Sequence, residues 1–181
     1  MESIASSMAA IALLFSITNA LGQVKPHQCG FDRWAVKILD DKDAARIDFK
    51  PIDTRIAALV AQPFHEIPYP EDSRISPEEF RVYRIKAKLI AVKSESDGDL
   101  HLILADPEHE AVTMVAEIPV PRCVPAKYAE QFGQARDCIA RLSPGAIVTV
   151  IGVGFWDYIH NARGAAKNGF ELHPVLSINA P

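Results

Sequence analysis

The sequence predicts a mainly β protein built as an OB-fold-like barrel of five strands, with one long helix between the third and fourth strands. Three runs with strand character follow one another between residues 80 and 118, a long helical pattern covers 126–142, and two further apolar runs lie at 147–155 and 170–178. Five strands with a helix after the third have the connectivity of an OB-fold. A β-sandwich or a half-open barrel would also accommodate these strands.

The first 22 residues have the composition of a secretory signal. Residues 8–17 are almost entirely apolar, and small or uncharged residues follow up to Gly22, which suits a signal peptidase. The apolar run is shorter than the ~20 residues that span a bilayer. The alternative is an uncleaved amphipathic or anchoring segment, because Glu2 stands where a signal usually has Lys or Arg. We therefore predict a secreted or periplasmic chain without a transmembrane anchor.

An N-terminal strand and a short helix are predicted before the barrel. Residues 33–39 alternate between polar and apolar side chains, which indicates a strand, and 40–48 are charged and expected to form a solvated turn. A short helical pattern at 55–61 is expected to be capped by Asp53 or Thr54. Four prolines then indicate an extended connection. The predicted organisation is a signal peptide at 1–22, the N-terminal strand, helix and Pro-rich connection at 23–78, and the barrel at 79–181, the last two forming one domain.

The barrel strands are predicted from their alternation. In the first of them one face is apolar and the other is basic. A hairpin around Gly98 leads to a strand at 100–104, and Asp106-Pro107 turns the chain into a strand at 111–118. The long helix repeats apolar residues at helical spacing, which predicts that this side packs on the barrel. These positions are Tyr128, Phe132, Ala135, Ile139 and Leu142.

The charge of the chain does not favour binding to bulk nucleic acid. The formal net charge is −4 at pH 7, whereas sequence-independent binding depends on an excess of Lys and Arg. A basic stripe runs along the first barrel strand, and such a stripe is either a solvated face or, joined to Arg163 and Lys167, one side of an anionic groove. Its residues are Arg84, Lys86, Lys88 and Lys93.

The three cysteines allow one disulfide and one remaining thiol. Their spacing matches neither a zinc ribbon nor a Cys-x-x-Cys motif. Pairing of Cys29 with Cys123 would attach the N-terminal segment to the end of a barrel strand, and pairing of Cys123 with Cys138 is the alternative.

Several motifs resemble those of a group of short exported bacterial proteins, over most of the chain after the signal. The resemblance implies an extracytoplasmic location. Because the group's pattern includes the first two cysteines and no fixed equivalent of Cys138, it also implies a Cys29–Cys123 bridge; it implies no activity. The motifs are Cys29-Gly30 with Arg33-Trp34-Ala35-Val36-Lys37, Asp99 to Leu104 with Asp106, Met114 to Pro119 with Cys123, and Gly152 to Phe155 with Asp157, His160, Gly164 and Asn168 to Val175.

Candidate site residues concentrate in the last two strands and the loop between them. Glycines in this loop permit close approach of a ligand beside acidic, basic and imidazole side chains. The ligand-binding candidates are Trp156, Asp157, His160, Arg163, Glu171 and His173. Histidine and carboxylate side chains on neighbouring strands are also the ligands of divalent metals. The metal candidates are His101, Glu117, Glu171 and His173, and the alternative is that they form a solvated or hydrogen-bonded strand face.

These observations predict a secreted OB-like binding or accessory module whose ligand the sequence does not name. One alternative is a small metal-dependent hydrolase of the phosphodiesterase or nuclease type; another is a structural protein of the cell envelope. The sequence contains no nucleophile elbow, P-loop or dinucleotide fingerprint. A divalent metal is the one cofactor that the candidate residues suggest.

Overall fold

The computed structural model describes residues 29–30, 32–159 and 161–180. The predicted signal at 1–22 and the candidate His160 lie outside these residues. The prediction of a mainly β chain is confirmed. The helices and strands are α1 (Trp34–Lys37), β1 (Asp48–Thr54), α2 (Ile56–Val60), β2 (Arg81–Ser94), β3 (Leu100–Asp106), β4 (His109–Ile118), α3 (Ala126–Ile139), β5 (Ile147–Trp156) and β6 (Phe170–Asn179).

The strands form one six-stranded sheet in the order β1-β2-β3-β4-β6-β5, and β2 also pairs with β5. Strands β2, β3 and β4 make an antiparallel meander, and β5 is antiparallel to both β2 and β6. Strands β4 and β6 run parallel and are joined through the pair Ala116 and Leu172. The five strands β2 to β6 therefore form a closed ring in which each strand pairs with two others of the five. The shortest pairing is the one between β4 and β6, which has a single residue pair. The predicted number of strands is corrected from five to six by β1.

Helix α3 follows the third strand of the ring, as the sequence predicts, and covers one side of it. Phe132, Ala135 and Ile139 are buried on the helix, while Tyr128 and Leu142 pack partly against the same core. The core inside the ring is built from alternate residues of the strands, such as Leu102 and Leu104 of β3. No helix among the described residues has the length and hydropathy to cross a bilayer.

The strand predicted at 33–39 is wrong, because this stretch forms the short helix α1. The amide groups of Val36 and Lys37 donate to the Arg33 carbonyl oxygen at 2.9 and 3.1 Å. Arg33 and Leu39 have positive φ angles of 57° and 61°, so the chain turns sharply on each side of the helix. A seven-residue run is too short for its periodicity to distinguish one helical turn from a strand. The left-handed conformation of Arg33 and Leu39 could not be predicted either, because neither residue is a glycine.

The sequence did not predict β1, which begins at the end of the supposed charged turn. It pairs in parallel with β2 and forms an edge of the sheet. Phe49 and Ile52 are 46% and 42% exposed, so the strand has no buried face to produce an alternating pattern. Its Pro51 is compatible with an edge strand, where an amide hydrogen is not required.

Helix α2 confirms the predicted short helix but has a different cap. Arg55, rather than Asp53 or Thr54, is the residue before the helix, and its side chain makes no capping bond. The Ala57 amide instead donates to Oδ2 of Asp106, a fully buried residue at the end of β3, at 3.1 Å. Oδ1 of Asp106 accepts bonds from Arg55 and from the Glu108 amide, both at 3.0 Å. Asp106 therefore joins α2 to the sheet.

We expect Asp106→Asn to destabilise the protein at neutral pH and much less in acid. Burial would raise the pKa of Asp106, but the hydrogen bonds from Arg55 and from two backbone amides outweigh burial and lower it. A lowered folded-state pKa adds stability above the unfolded value of about 3.8 that is lost as the pH falls through the folded value. Urea unfolding should show a loss of about 1–3 kcal/mol at pH 7.

The difference between wild type and Asp106→Asn should shrink between pH 7 and pH 2.5, because the Asp106 carboxylate is protonated as the pH falls through its lowered pKa. Asp53→Asn is the matched control, because this carboxylate forms an exposed ion pair with Arg84 at 3.0 Å. Such pairs contribute about 0–1 kcal/mol. A difference for Asp106→Asn that is the same at both pH values would show that its charge does not matter.

The segment at 29–40, which we call the strap, is attached to the ring at two points. Cys29 and Cys123 form a disulfide with 5.7 Å between their Cα atoms, which confirms the predicted pairing, and Cys138 is a half-buried free thiol on α3. Both terminal nitrogens of Arg33 donate to Glu79 carboxylate oxygens at 2.7 Å. Arg33 also donates to the Trp156 carbonyl at 2.7 Å. The strap is thereby held against the end of β5.

Candidate functional site

The four metal candidates His101, Glu117, Glu171 and His173 lie together on the outer face of the ring. In β3, Leu102 and Leu104 point into the core, so His101 and Ile103 point the other way. The β3–β4 pairing places His101 directly opposite Glu117. In β6, Phe170 and Leu172 belong to the core and the alternate residues Glu171 and His173 do not. Three strands therefore contribute polar side chains to one place.

Hydrogen bonds and short contacts connect these four side chains in a row. His101 Nδ1 donates to Glu117 Oε1 at 2.8 Å. Oε2 of Glu117 is 3.4 Å from Nδ1 of His173. The same nitrogen is 3.3 Å from Oε1 of Glu171, within hydrogen-bonding distance. Glu117 and Glu171 thus flank His173 on its Nδ1 side.

A fifth residue, Asp99, completes this group and was not among the sequence candidates. Its Oδ2 atom is 3.6 Å from Nε2 of His173, a separation slightly longer than a hydrogen bond. Its Oδ1 atom accepts a bond from the Val120 amide at 2.9 Å. Asp99 precedes β3 by one residue and His101 by two, so period-two alternation extended into the hairpin would have placed it on the same face. We call Asp99, His101, Glu117, Glu171 and His173 the histidine–carboxylate cluster.

The cluster is buried although it lies outside the ring. Asp99 and His173 are 0% exposed, His101 and Glu171 are each 6% exposed, and Glu117 is half-buried. These side chains therefore do not form a solvated strand face, whereas the alternative of a hydrogen-bonded face agrees with the bonds between them. Buried charged groups are costly unless they are paired or hold an ion. The segments that cover this face therefore determine which ligands can reach the cluster.

Two segments of the chain provide this cover. Arg33 of the strap lies over the Phe155 ring at 4.6 Å, and the Lys37 ammonium is 5.5 Å from the same ring. Phe155 in turn lies 5.5 Å from the His173 ring. The loop at 157–169 covers β3, where Gly164 has a φ of +89° and an added Cβ would collide with Ile103. Only glycine allows the loop to approach this closely.

The two central carboxyl groups of the cluster have pKa values shifted in opposite directions. Burial would raise the pKa of Glu117, but the hydrogen bond from His101 and the charge of His173 outweigh it and lower the pKa to about 2. Burial, and next the charge of Asp157, raise the pKa of Glu171 to about 7. At neutral pH Glu117 is therefore ionised, whereas Glu171 exchanges its proton readily.

The basic groups of the cluster are stabilised in their charged forms. Burial would lower the pKa of His173, but its contacts with Asp99 and Glu171 outweigh burial and raise the pKa to about 9. The pKa of His101 is also raised, since its bond to Glu117 outweighs burial. For Lys37 of the strap, burial is outweighed by the charges of neighbouring carboxylates, and its pKa is raised too. Cations thus compensate the buried acids in this arrangement.

The ligand candidates from the last loop are only partly brought together. Asp157 is half-buried, and its charge acts on both Glu171 and Lys37. Arg163 is exposed on the loop. Trp156 is fully buried, with its ring 4.9 Å from the rings of His65 and Phe170. Its indole ring is therefore part of the core and is not presented to a ligand at the surface.

A small hollow lies beside the cluster, beneath the loop. Its volume is about 10 Å³, close to what one water molecule requires. Asp157, Gly169 and Glu171 line it together with Val115 of β4. A ligand larger than a water molecule or an ion would need the loop or the strap to move.

Two of the four residues of the basic stripe on β2 form ion pairs with acidic neighbours. Arg84 pairs with Asp53 at 3.0 Å, and Lys88 pairs with Glu110 at 2.6 Å. These pairs are exposed and contribute little to stability. They reduce the positive potential of the stripe and do not favour an anionic groove there.

Comparison with known proteins does not assign the chain to a family. No family model matches it, and no curated protein matches it in sequence. Two solved structures that resemble it weakly are an asparaginyl-tRNA synthetase from Entamoeba histolytica and a putative aspartyl-tRNA synthetase from Leishmania major Friedlin. The first is 9% identical with a TM-score of 0.43, covering 73% of this chain and 23% of that one. The second is 15% identical with a TM-score of 0.42, covering 72% and 21%.

The chain thus spans less than a quarter of the length of these two synthetases. Likenesses of this size carry no argument about the activity of this chain.

Proposed function

We propose that the protein is an exported OB-like binding or accessory module whose ligand is held by the histidine–carboxylate cluster. One observation carries the proposal: ionisable side chains are buried together while some of their polar atoms lack partners. Within the described residues, Asp99 Oδ2, His101 Nε2 and His173 Nε2 have no hydrogen-bond partner. An unsatisfied buried polar group costs about 1–3 kcal/mol, and a bound ligand would remove this cost.

The position of the cluster supports this proposal. In OB-folds, the second and third strands and the loops after the first and fourth strands bind ligands. If the ring of β2 to β6 is an OB-like barrel, these elements are β3, β4, the hairpin at 95–99 and the loop at 157–169. Asp99, His101 and Glu117 come from the first three of them, and Asp157 begins the last. Three of the five cluster residues thus lie on the usual binding elements of this architecture, and Glu171 and His173 extend the proposed site onto β6.

Export is proposed from two independent features. The apolar N-terminal stretch has the composition of a secretory signal. The Cys29–Cys123 disulfide suits an oxidising compartment, where such bonds form and persist. A periplasmic or extracellular location accounts for both features.

Binding is favoured over the alternative of metal-dependent hydrolysis. A catalytic metal keeps an open coordination position for water or substrate, and a general acid or base must reach the substrate. The central residues His173 and Asp99 are both fully buried. This arrangement suits retention of a small ligand better than turnover of a phosphodiester.

A thermal-shift screen of the untagged, disulfide-bonded protein tests this function. The probes are inorganic phosphate, mononucleotides, short sugars and divalent metal salts. We expect at least one to raise the Tm by several degrees in wild type and in Glu110→Gln, which changes an exposed carboxylate. The shift should fall by half or more in Glu171→Gln, which replaces a buried carboxylate of the cluster. If no probe raises the Tm, the binding function is wrong and a structural role is favoured.

A further inference from the structure

The unpartnered atoms of the cluster identify the chemical class of its ligand; this inference rests on the proposed function, because it concerns the same site. We propose that Asp99, Glu117 and His173 bind one divalent transition-metal ion of the zinc class in a closed site. One donor atom from each of these three residues lies within 4.8 Å of the other two. Nε2 of His173 and Oδ2 of Asp99 already face each other, whereas Oε2 of Glu117 lies 3.4 Å from Nδ1, so the Glu117 side chain must rotate towards Nε2 to complete the site.

His173 and Asp99 present a pair of unpartnered donor atoms to each other. Nε2 of His173 and Oδ2 of Asp99 are 3.6 Å apart, and neither has a hydrogen-bond partner among the described residues. Zinc binds nitrogen and carboxylate oxygen at about 2.0–2.2 Å with tetrahedral angles, which places two of its ligands roughly 3.2–3.6 Å apart. An ion bridging these atoms would therefore need little rearrangement of either side chain.

The surroundings of His173 leave the correct nitrogen available to a metal. Its Nδ1 atom is 3.3 Å from Oε1 of Glu171 and 3.4 Å from Oε2 of Glu117. A carboxylate that accepts a hydrogen bond from Nδ1–H keeps the proton on Nδ1. The lone pair on Nε2 is then free to bind a metal, as in carboxylate–histidine–zinc arrangements. Glu171 is thus assigned as a positioning residue that orients His173 and does not itself bind the ion.

The other two ligands are oriented in a similar way. Oδ1 of Asp99 accepts the Val120 amide at 2.9 Å, which directs Oδ2 towards His173. Oε1 of Glu117 accepts a hydrogen bond from His101 at 2.8 Å, so His101 supports Glu117 from outside the site. Such outer partners typically account for 10–100-fold in metal affinity. These two hydrogen bonds orient the carboxylates of Asp99 and Glu117.

The donor set and its burial define the class of metal. One imidazole and two carboxylates suit zinc and its first-row neighbours, whereas magnesium and calcium prefer oxygen ligands alone. Two carboxylates with a neutral histidine also balance the charge of a divalent cation. The competing explanation is that His173 remains a protonated imidazolium and neutralises the carboxylates itself, in which case no metal is bound.

Calorimetric titration of chelator-treated, untagged protein with zinc sulfate distinguishes these explanations. We expect one ion per chain and a rise in Tm, because the ion binds the folded chain and links its three ligands. Cobalt(II) should give visible absorption bands on binding at the same stoichiometry. Calcium and magnesium should bind at least 100-fold more weakly.

The decisive comparison is between Asp99→Asn and Asp106→Asn, two fully buried carboxylates at opposite ends of β3. Asp99→Asn retains the acceptor for the Val120 amide and should lower zinc affinity about 100-fold or more. Asp106→Asn should leave zinc affinity within about twofold even though it destabilises the fold. Glu171→Gln should give an intermediate loss of about 10–100-fold, as expected for an outer partner.

Each other outcome has a distinct meaning. Binding that survives Asp99→Asn unchanged would overturn the ligand assignment. Failure of every metal, with stabilisation by phosphate, a nucleotide or a sugar, would overturn the metal inference and leave the binding function intact. Failure of all probes would overturn both.

Discussion

Replacement of Glu79 by alanine should destabilise the protein by about 3–5 kcal/mol, the loss expected when one member of a buried ion pair is removed. The Glu79 carboxylate accepts bonds from two Arg33 nitrogens, both at 2.7 Å, and from the amides of Ile75 and Trp156 at 2.7 and 2.8 Å. The variant would leave a buried guanidinium and two buried amide groups without this acceptor. Urea unfolding followed by far-UV circular dichroism measures the effect.

Asp43→Ala is the matched control for Glu79→Ala. Asp43 also pairs with an arginine, Arg46, at 2.9 Å, but the Arg46 side chain is mostly exposed. Its loss should change the free energy of unfolding by no more than about 0.5–1 kcal/mol. If both variants lose the same small amount, the pair of Arg33 and Glu79 does not hold the strap on the ring.

Removal of the disulfide in the double variant Cys29→Ser with Cys123→Ser should cost about 2–4 kcal/mol. The bond joins residues separated by 94 positions, and releasing so long a loop increases the entropy of the unfolded chain. Because Cys29 lies at the start of the strap, hydrogen exchange should also become faster in residues 32–40. Chemical denaturation and hydrogen-exchange mass spectrometry measure the two effects.

Cys138→Ser serves as the control for the disulfide variant, since Cys138 is a free thiol on α3. It should change stability by less than about 1 kcal/mol and leave exchange in the strap unaltered. Equal exchange rates in the strap with and without the bond would contradict its role as an anchor, and would leave the Arg33–Glu79 pair as the attachment.

Local patterns were sufficient to predict the strands of the ring and helix α3. Strand β2 was predicted from strict alternation, whereas β5 and β6 were predicted as apolar runs, which suits strands buried over most of their length. The two-residue period of a strand still separated Glu171 and His173 from Phe170 and Leu172. Helix α3 was predictable because Phe132, Ala135 and Ile139 recur at helical spacing. Each of these elements has a buried side that determines its pattern.

The remaining features depend on contacts between distant parts of the chain. Asp99 lies in the hairpin just before β3, outside the run that the sequence analysis assigned to a strand. The burial of the cluster results from the strap and from the loop that Gly164 allows to approach β3, and no local pattern predicts either cover. The exposed edge strand β1 and the single turn of α1 lack a periodic buried face. Sequence reasoning therefore named four of the five residues of the histidine–carboxylate cluster but not their enclosure.

The placement of the two tryptophans gives the molecule a pair of optical reporters. Trp34 is half-exposed on the strap, whereas Trp156 is fully enclosed at the end of β5. The emission of Trp34 should respond to lifting of the cover, and that of Trp156 should shift to longer wavelength only when the barrel itself opens. Phenylalanine at either position would isolate one signal, so that opening of the site and global unfolding can be timed separately in one stopped-flow experiment.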